Sequence, residues 1–372
     1  MGLDYCKQNF IHYSKIHSLS LINSKILNVF FNDCTIIDIE KYGNGHINNT
    51  YLISTTKGKF IIQQVNSKVF NIKNLVHNYE YLIKSASKYG VSGKLFPKSV
   101  TGSFNSTHYI DGDGTAWRLN EYIENSLAYA IPPNTEITEK AGKAMGKFQL
   151  FLTKLDADKF KDTIPDFHNP LRRLGEFEKA LQIADKTLSK TAEAEIKIAL
   201  ENKNIALRMS DLLSSNKLPV RITHNDTKLD NILFDNHNNH IYVIDLDTVM
   251  KGSLLFDFGD MVRTITSVSK EDEKDLSKIT FRLDHFESLC KGYLNEIKSI
   301  ITQSEKDNIL AGALSIIYVQ GLRFLTDYLS GNKYYKTNYA THNLIRSRTQ
   351  FKLLEDILLN REKTERIIQN AL

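Results

Sequence analysis

His224-Asn225-Asp226-Thr227-Lys228-Leu229-Asp230-Asn231 decides the reading of this chain, together with Asp245, fourteen residues after Asn231 in Tyr242-Val243-Ile244-Asp245-Leu246-Asp247. A histidine, an aspartate two positions on, an asparagine five further and an aspartate closing a β-prone run supply a proton acceptor and two oxygen ligands for magnesium. Phosphoryl transfer needs those parts. The β-prone runs Ile232 to Asp235 and His240 to Ile244 flank the turn-forming Asn236-His237-Asn238-Asn239, which reads as a hairpin. A hairpin brings the chain back to where it left, so Asn231 and Asp245 are expected at one open end, about one or two strand spacings apart. Magnesium prefers hard oxygens, keeps water and uses only one or two protein groups beside nucleotide phosphates. The Asn231 amide oxygen and the Asp245 carboxylate suffice as metal ligands. Asp226, in the loop entering the hairpin, is the catalytic candidate, orienting an acceptor hydroxyl and receiving its proton late. His224 is expected to fix the loop by hydrogen bonding. Asp, Asn and His are each common in turns, so the specificity lies in the full set with its spacing.

The rest of the chain narrows the class. At 372 residues it exceeds the usual size of a single core, and two lobes are the default. Hydrophobic residues make up 41% and charged residues 24%, which suits a globular protein with little disorder. The net charge of +5 is spread over 48 basic and 43 acidic residues without a basic block, so no nucleic-acid partner is expected. Cys6, Cys34 and Cys290 are odd in number and far apart, giving neither a disulfide framework nor metal-ligand pairs, and a reducing cytoplasm is the expected location. The first residues lack a signal-peptide pattern and fall short of a myristoylation motif, and no apolar run approaches about twenty residues. No membrane partner is expected, and the chain is read as a monomer or weak homodimer.

Residues from about Asn28 to Tyr122 read as strand-rich with one helix. Tyr51 to Ser54 and Lys59 to Val65 form a hairpin around Thr55-Thr56-Lys57-Gly58, and apolar residues at helical spacing from Ile72 to Tyr89 stop at Gly90. Ser106 to Ile110 and Thr115 to Tyr122 are strands around Asp111-Gly112-Asp113-Gly114. Beyond Pro132-Pro133 helices dominate: Glu136 to Leu155, Arg172 to Ala184, Thr191 to Leu213, Glu305 to Leu329 and Asn343 to Asn360. The expected boundary divides the chain into 1–124 and 125–372.

With these motifs in view, the chain resembles the aminoglycoside phosphotransferase and choline kinase superfamily, over nearly its whole length. The resemblance implies an α+β, two-lobed protein-kinase-like fold, with a small β-rich N-lobe carrying one main helix and a larger, mostly helical C-lobe. Within the superfamily, Tyr42-Gly43-Asn44-Gly45-His46-Ile47-Asn48, Val243-Ile244-Asp245-Leu246-Asp247-Thr248-Val249 and Leu322-Arg323-Phe324-Leu325-Thr326-Asp327-Tyr328-Leu329 look like bacterial N-acetylhexosamine 1-kinases. These phosphorylate the anomeric hydroxyl of N-acetylglucosamine or N-acetylgalactosamine with ATP and magnesium. The resemblance makes Asp226 catalytic and substrate-facing, Asn231 and Asp245 metal ligands, and Glu80 the helix glutamate of the small lobe. It places Gly43, Gly45, Gln64, Glu121 and Tyr122 on the nucleotide side, and His46, Arg323 and Tyr334 on the sugar. An uncharged sugar with an amide suits a fork of donors such as Arg323 beside aromatic rings.

Two departures stand out. The strand before the helix reads Ile61-Ile62-Gln63-Gln64, without the lysine that protein kinases pair with the helix glutamate; either glutamine, or Lys59 or Lys68, is available instead. The glycine loop keeps Gly43 and Gly45 but has Asn48 at its third glycine position. Asp257-Phe258-Gly259 lies 26 residues after Asn231, with Asp245 already in the ligand position, so Asp257 is read as supporting the catalytic loop. For Asp247 two readings stand, a second magnesium or only a water.

Overall fold

The computed structural model describes residues 22–43, 47–235 and 241–372; Gly45 and His46 lie outside them. The chain forms two compact units, Met1–Glu124 and Asn125–Leu372.

The first unit is an antiparallel sheet of β1 (Ile36–Lys41), β2 (Asn49–Thr55), β3 (Gly58–Gln64), β4 (Ser99–Val100), β5 (His108–Ile110) and β6 (Ala116–Glu121). The strand order is β1-β2-β3-β6-β4, with β5 also on β6. In the expected hairpin Thr55 faces Gly58 across a Thr56-Lys57 turn. Strand side chains alternate between faces, and β6 shows the consequence. Trp117 and Leu119 join the core built with Ile26, Leu27 and Phe30 of α1 (Ser24–Phe30), a helix that periodicity did not reveal. Arg118 and Asn120 meet α2 (Ile72–Lys88) instead, where the Tyr79 hydroxyl donates to Asn120 Oδ1 at 2.8 Å. The Asn71 side chain caps α2 by accepting from Asn74 N–H. Its apolar stripe carries Leu75, Tyr79, Leu82 and Ala86, and it ends before Gly90 at φ +68°.

The second unit opens with β7 (Ser126–Leu127), then α3 (Thr135–Leu152) and α4 (Pro170–Ile183). After α5 (Lys186–Thr191), the single helix expected from Thr191 to Leu213 is two: α6 (Glu193–Glu201) and α7 (Asn204–Ser214). After β8 (Arg221–Thr223), β9 (Ile232–Asp235), β10 (Ile241–Val243) and β11 (Met250–Gly252) come α8 (Leu254–Ile265) and α9 (Leu283–Ile297), neither of which the periodicity reading found. The helix expected from Glu305 to Leu329 divides into α10 (Gln303–Lys306) and α11 (Ile309–Leu329), followed by α12 (His342–Leu359) and α13 (Arg361–Ala371). Three of these junctions share a cause. Asn202, Asn308 and Asn360 each turn the side-chain amide onto the carbonyl four residues back, at 2.9, 2.8 and 2.9 Å, competing with helix continuation.

β9 pairs with β10 and β7, and β8 with β11. α11 packs on α8, α12, α4 and α7, and α3 packs along α9. The sequence reading found no apolar run near membrane length, yet α11 is long and apolar enough to cross one. Its most apolar window is 78% buried inside the protein, so here it serves as the core helix of the second unit. Its contact with α8 is made through glycines: a Cβ on Gly312 would fall 2.5 Å from Leu255 Cβ, and one on Gly259 2.9 Å from Ala313 Cα.

Gly312→Ala should therefore cost about 1–3 kcal/mol of stability, read as a lower urea midpoint at unchanged slope. Gly175→Ala, within α4 and with nothing within 4 Å of the new Cβ, should instead stabilise by about 0.5–1 kcal/mol.

Candidate active site

The catalytic loop leaves β8 and is held from below by α8. Ser253 caps α8 by accepting from Leu255 N–H, which places Asp257 in the first turn. The Asp257 carboxylate accepts from the backbone N–H groups of His224 at 2.8 Å and Asn225 at 2.7 Å. The Thr227 hydroxyl donates to the Asp257 carbonyl at 2.6 Å. Burial pushes the Asp257 carboxyl up to about 6, against the pull of His224 and the two N–H donors.

Asn225 takes a left-handed turn at φ +64°, which asparagine tolerates better than most residues. Its side chain fixes that turn by donating to the carbonyls of Thr223 and Thr248. His224 Nε2 is 3.0 Å from the Ile244 carbonyl, so Nε2 carries the hydrogen and Nδ1 accepts from Asp226 N–H at 3.3 Å. His224 thus ties the loop to the end of β10.

Asp226 follows, its side chain 25% exposed. Its Oδ2 accepts from Asn231 Nδ2 at 2.8 Å and pairs with Lys228 Nζ at 3.1 Å. Burial alone would raise this carboxyl, but the Lys228 ammonium, His224 and the Asn231 amide hold it below the usual carboxylate range. In return Asp226 pushes the Lys228 ammonium well up. Lys228 is a site residue that the sequence reading passed over, although it stands inside the quoted motif.

The hairpin brings Asn231 and Asp245 together. Ile232 faces Val243 in the register, and Ile244 N–H donates to the Asn231 carbonyl at 2.9 Å. Asn231 Nδ2 is committed to the Asp226 carboxylate and carbonyl, so Oδ1 is left without a donor among the described residues. Asp245 holds a left-handed conformation at φ +61°, a strain that a non-glycine residue keeps where its surroundings impose it. A free amide oxygen beside a carboxylate is a hard donor set that fits magnesium.

The Arg323 guanidinium lies 5.2 Å from the Phe167 ring centroid and 5.6 Å from that of Tyr335. Its one hydrogen bond among the described residues runs to Gln320 Oε1 at 3.0 Å, with no carboxylate partner. Beside it His168, outside every sequence motif, reaches the Asn225 carbonyl through Nε2 at 2.8 Å. His168 and Arg323 share the Phe167 ring, and His168 bonds to the residue before Asp226. Tyr334 is 61% exposed on a loop that Asp327 holds, accepting from the N–H groups of Lys333, Tyr334 and Tyr335 at 2.9, 2.8 and 3.0 Å. Asp327 lies within the quoted Leu322 to Leu329 segment, but its partners follow in the next turn of chain and gave no signal. A cavity of about 430 Å³ shares His168 and Asn225 with this region, though its walls include none of Asp226, Asn231 and Asp245.

The first unit holds the remaining candidates. Tyr42 meets Tyr122 edge to face at 5.7 Å, next to Gly43 at φ +72°. Burial and the Tyr122 hydroxyl push the Tyr42 phenol up to about 12. Glu121 pairs with Lys98 at 3.4 Å, and Gln64 accepts from Asn49 at 2.8 Å. Glu80 is exposed and accepts from Ser106 at 2.7 Å; the α2 side chain that turns to the sheet is its neighbour Tyr79. Where a strand lysine was missed, Gln63 accepts from both Nε and Nη2 of Arg118, at 2.9 and 2.8 Å. Arg118 is 1% exposed, so this cation braces the sheet against α2.

A family model described as the phosphotransferase enzyme family (APH) matches residues 38–280. Among solved structures, the chain is similar to a microcompartment-associated aminopropanol kinase, at 15% identity and TM-score 0.63 over 92% of this chain and 97% of that one. An amicoumacin kinase in complex with AMP-PNP, Ca²⁺ and Ami matches at 13% identity and TM-score 0.57, over 85% and 88%. A choline kinase from Streptococcus pneumoniae matches at 14% identity and TM-score 0.55, over 91% and 99%. The α+β, two-lobed kinase-like fold is common to them and to this chain.

Asp257→Ala leaves two adjacent buried N–H donors without an acceptor, at about 1–3 kcal/mol each. The variant should lose about 2–5 kcal/mol in chemical denaturation, with protection of the His224 and Asn225 amides lost first in hydrogen exchange.

Proposed function

The chain belongs to the phosphotransferase enzyme family, and on that premise we propose that it transfers the γ-phosphoryl group of ATP to the anomeric C1 hydroxyl of an N-acetylhexosamine. The observation that carries the acceptor class is Arg323. A quaternary or primary ammonium acceptor is recognised by open aromatic faces or a carboxylate. Here the faces of Phe167 and Tyr335 already hold a guanidinium, whose unspent N–H groups suit the carbonyl and hydroxyl oxygens of a neutral sugar.

In this reading the carboxylate of Asp226 orients the acceptor hydroxyl and takes its proton late, kept ionised by Lys228. Lys228 also offsets the repulsion between Asp226 and an incoming triphosphate. Asn231 Oδ1 and Asp245 would hold magnesium, which when bound neutralises phosphate charge. Tyr334 would cover a sugar face, with His46 a further sugar contact. Gly43, Gly45, Gln64, Glu121 and Tyr122 are proposed for the nucleotide.

Asp226→Asn should keep the thermal midpoint and ATP binding by calorimetry while kcat falls by about 10²–10⁴-fold. Near-normal turnover would remove Asp226 from this role. Lys228→Met should lower kcat about 10–10³-fold with the fold intact. An ADP-release screen over N-acetylhexosamines, choline, aminoalcohols and aminoglycosides tests the acceptor, and phosphorus NMR of the product tests the position. No response to any N-acetylhexosamine, or a product at C6, would sink the 1-kinase reading and leave kinase chemistry standing.

A further inference from the structure

Phe167-His168 lies in the connection between α3 and α4, and the catalytic motif gives it no role. The geometry nevertheless fixes what the imidazole offers. A carbonyl only accepts, so the 2.8 Å contact with the Asn225 carbonyl puts the hydrogen on Nε2 and leaves Nδ1 as the lone-pair nitrogen. No described residue donates to Nδ1. The ring is packed by Phe167 at 4.4 Å and Phe256 at 5.5 Å between centroids, so its orientation is set before any ligand arrives. Burial, the largest influence, takes the imidazole down to about 4, and the group is therefore a neutral acceptor at physiological pH.

Next to this acceptor stands a donor. Arg323 and His168 both pack on the Phe167 ring, and Arg323 spends one N–H on Gln320. An acetamido group carries one N–H and one carbonyl oxygen, the complement of this pair. We propose that His168 Nδ1 accepts a hydrogen bond from the acetamido N–H of the acceptor while Arg323 donates to its carbonyl, so that the two residues set selectivity for N-acetylated over plain sugars. The inference rests on the N-acetylhexosamine reading above and assigns the group that distinguishes that acceptor. Because Nε2 is already spent on the loop beside Asp226, the same ring ties recognition of the acetamido group to the position of the catalytic carboxylate. A partly buried acceptor left unpaired penalises an analogue lacking the donor.

Two variants separate the nitrogens. In His168→Gln the side-chain amide nitrogen takes the place of Nε2 and keeps the donor to Asn225, while the Nδ1 acceptor is lost. In His168→Asn the amide oxygen takes the place of Nδ1, and the donor to Asn225 is lost. Steady-state kinetics on the full chain, with an N-acetylhexosamine and the matching 2-deoxyhexose, give the readout. The wild type should prefer the N-acetylated sugar. His168→Gln should raise its KM about 10- to 100-fold, leave the KM for ATP unchanged and level the two sugars. His168→Asn should retain the preference, with the loss falling on kcat. Equal losses on both sugars in His168→Gln, or a preference unchanged from the wild type, would overturn the proposal. If the wild type turns over no N-acetylhexosamine, the acceptor reading fails separately. His168 is then read on the alcohol that the screen returns: a KM unmoved in His168→Gln overturns its role in acceptor binding, and a raised KM sustains the hydrogen bond with another donor.

Discussion

The second unit turns on one carboxylate and two consecutive N–H groups. Asp257 receives the amides of His224 and Asn225, which fixes the left-handed turn at Asn225 just before Asp226. From Asp226 the order propagates outward through Asn231, and from His224 to the Ile244 carbonyl. The proposed catalytic aspartate, both proposed metal ligands and the lysine beside them are thus fixed by a group that has no need to touch substrate. Paired burial of this kind rigidifies a site because each unmet donor is costly.

Charge in the site is balanced rather than neutral. Asp226 is stabilised by a lysine two residues away, and Arg263 bridges Asp260 at 2.8 Å and Glu271 at 2.9 Å, whereas Arg323 pairs with no acid among the described residues. The aromatic rings around Arg323 spread its charge while leaving N–H groups unspent. A basic surface of this sort accepts a polar neutral ligand more readily than a cation, and it is assembled from one helix and two connecting segments.

What was legible follows from distance along the chain. The hairpin and the closeness of Asn231 and Asp245 at its open end were readable because turn chemistry and strand period act within about twenty residues. Asp257 could be read as a supporting residue from its position, though not its two N–H partners 33 and 32 residues away. Helix breaks at Asn202 and Asn308 escaped a periodicity reading because a side chain bonding to its own backbone leaves the apolar pattern nearly intact. Arg118 escaped because a buried cation on a strand is legible only once Gln63 and Tyr79 are seen against it, and His168 because no local pattern foretells a ring that spans to Asn225. α11 reads as core only once α8 and α12 are in place, since its apolar composition alone is compatible with lipid.

Consider finally the bare contact where Gly312 meets Leu255 and Gly259 meets Ala313. Asp257, Asp260 and Arg263 ride on one of these helices, and Arg323 and Asp327 on the other. The separation between the residues that hold the loop and those proposed for the acceptor is therefore gauged by a spot where two glycines leave no room for a Cβ. A single methyl group added there would work as a spacer between the two helices while every residue of the proposed site kept its identity.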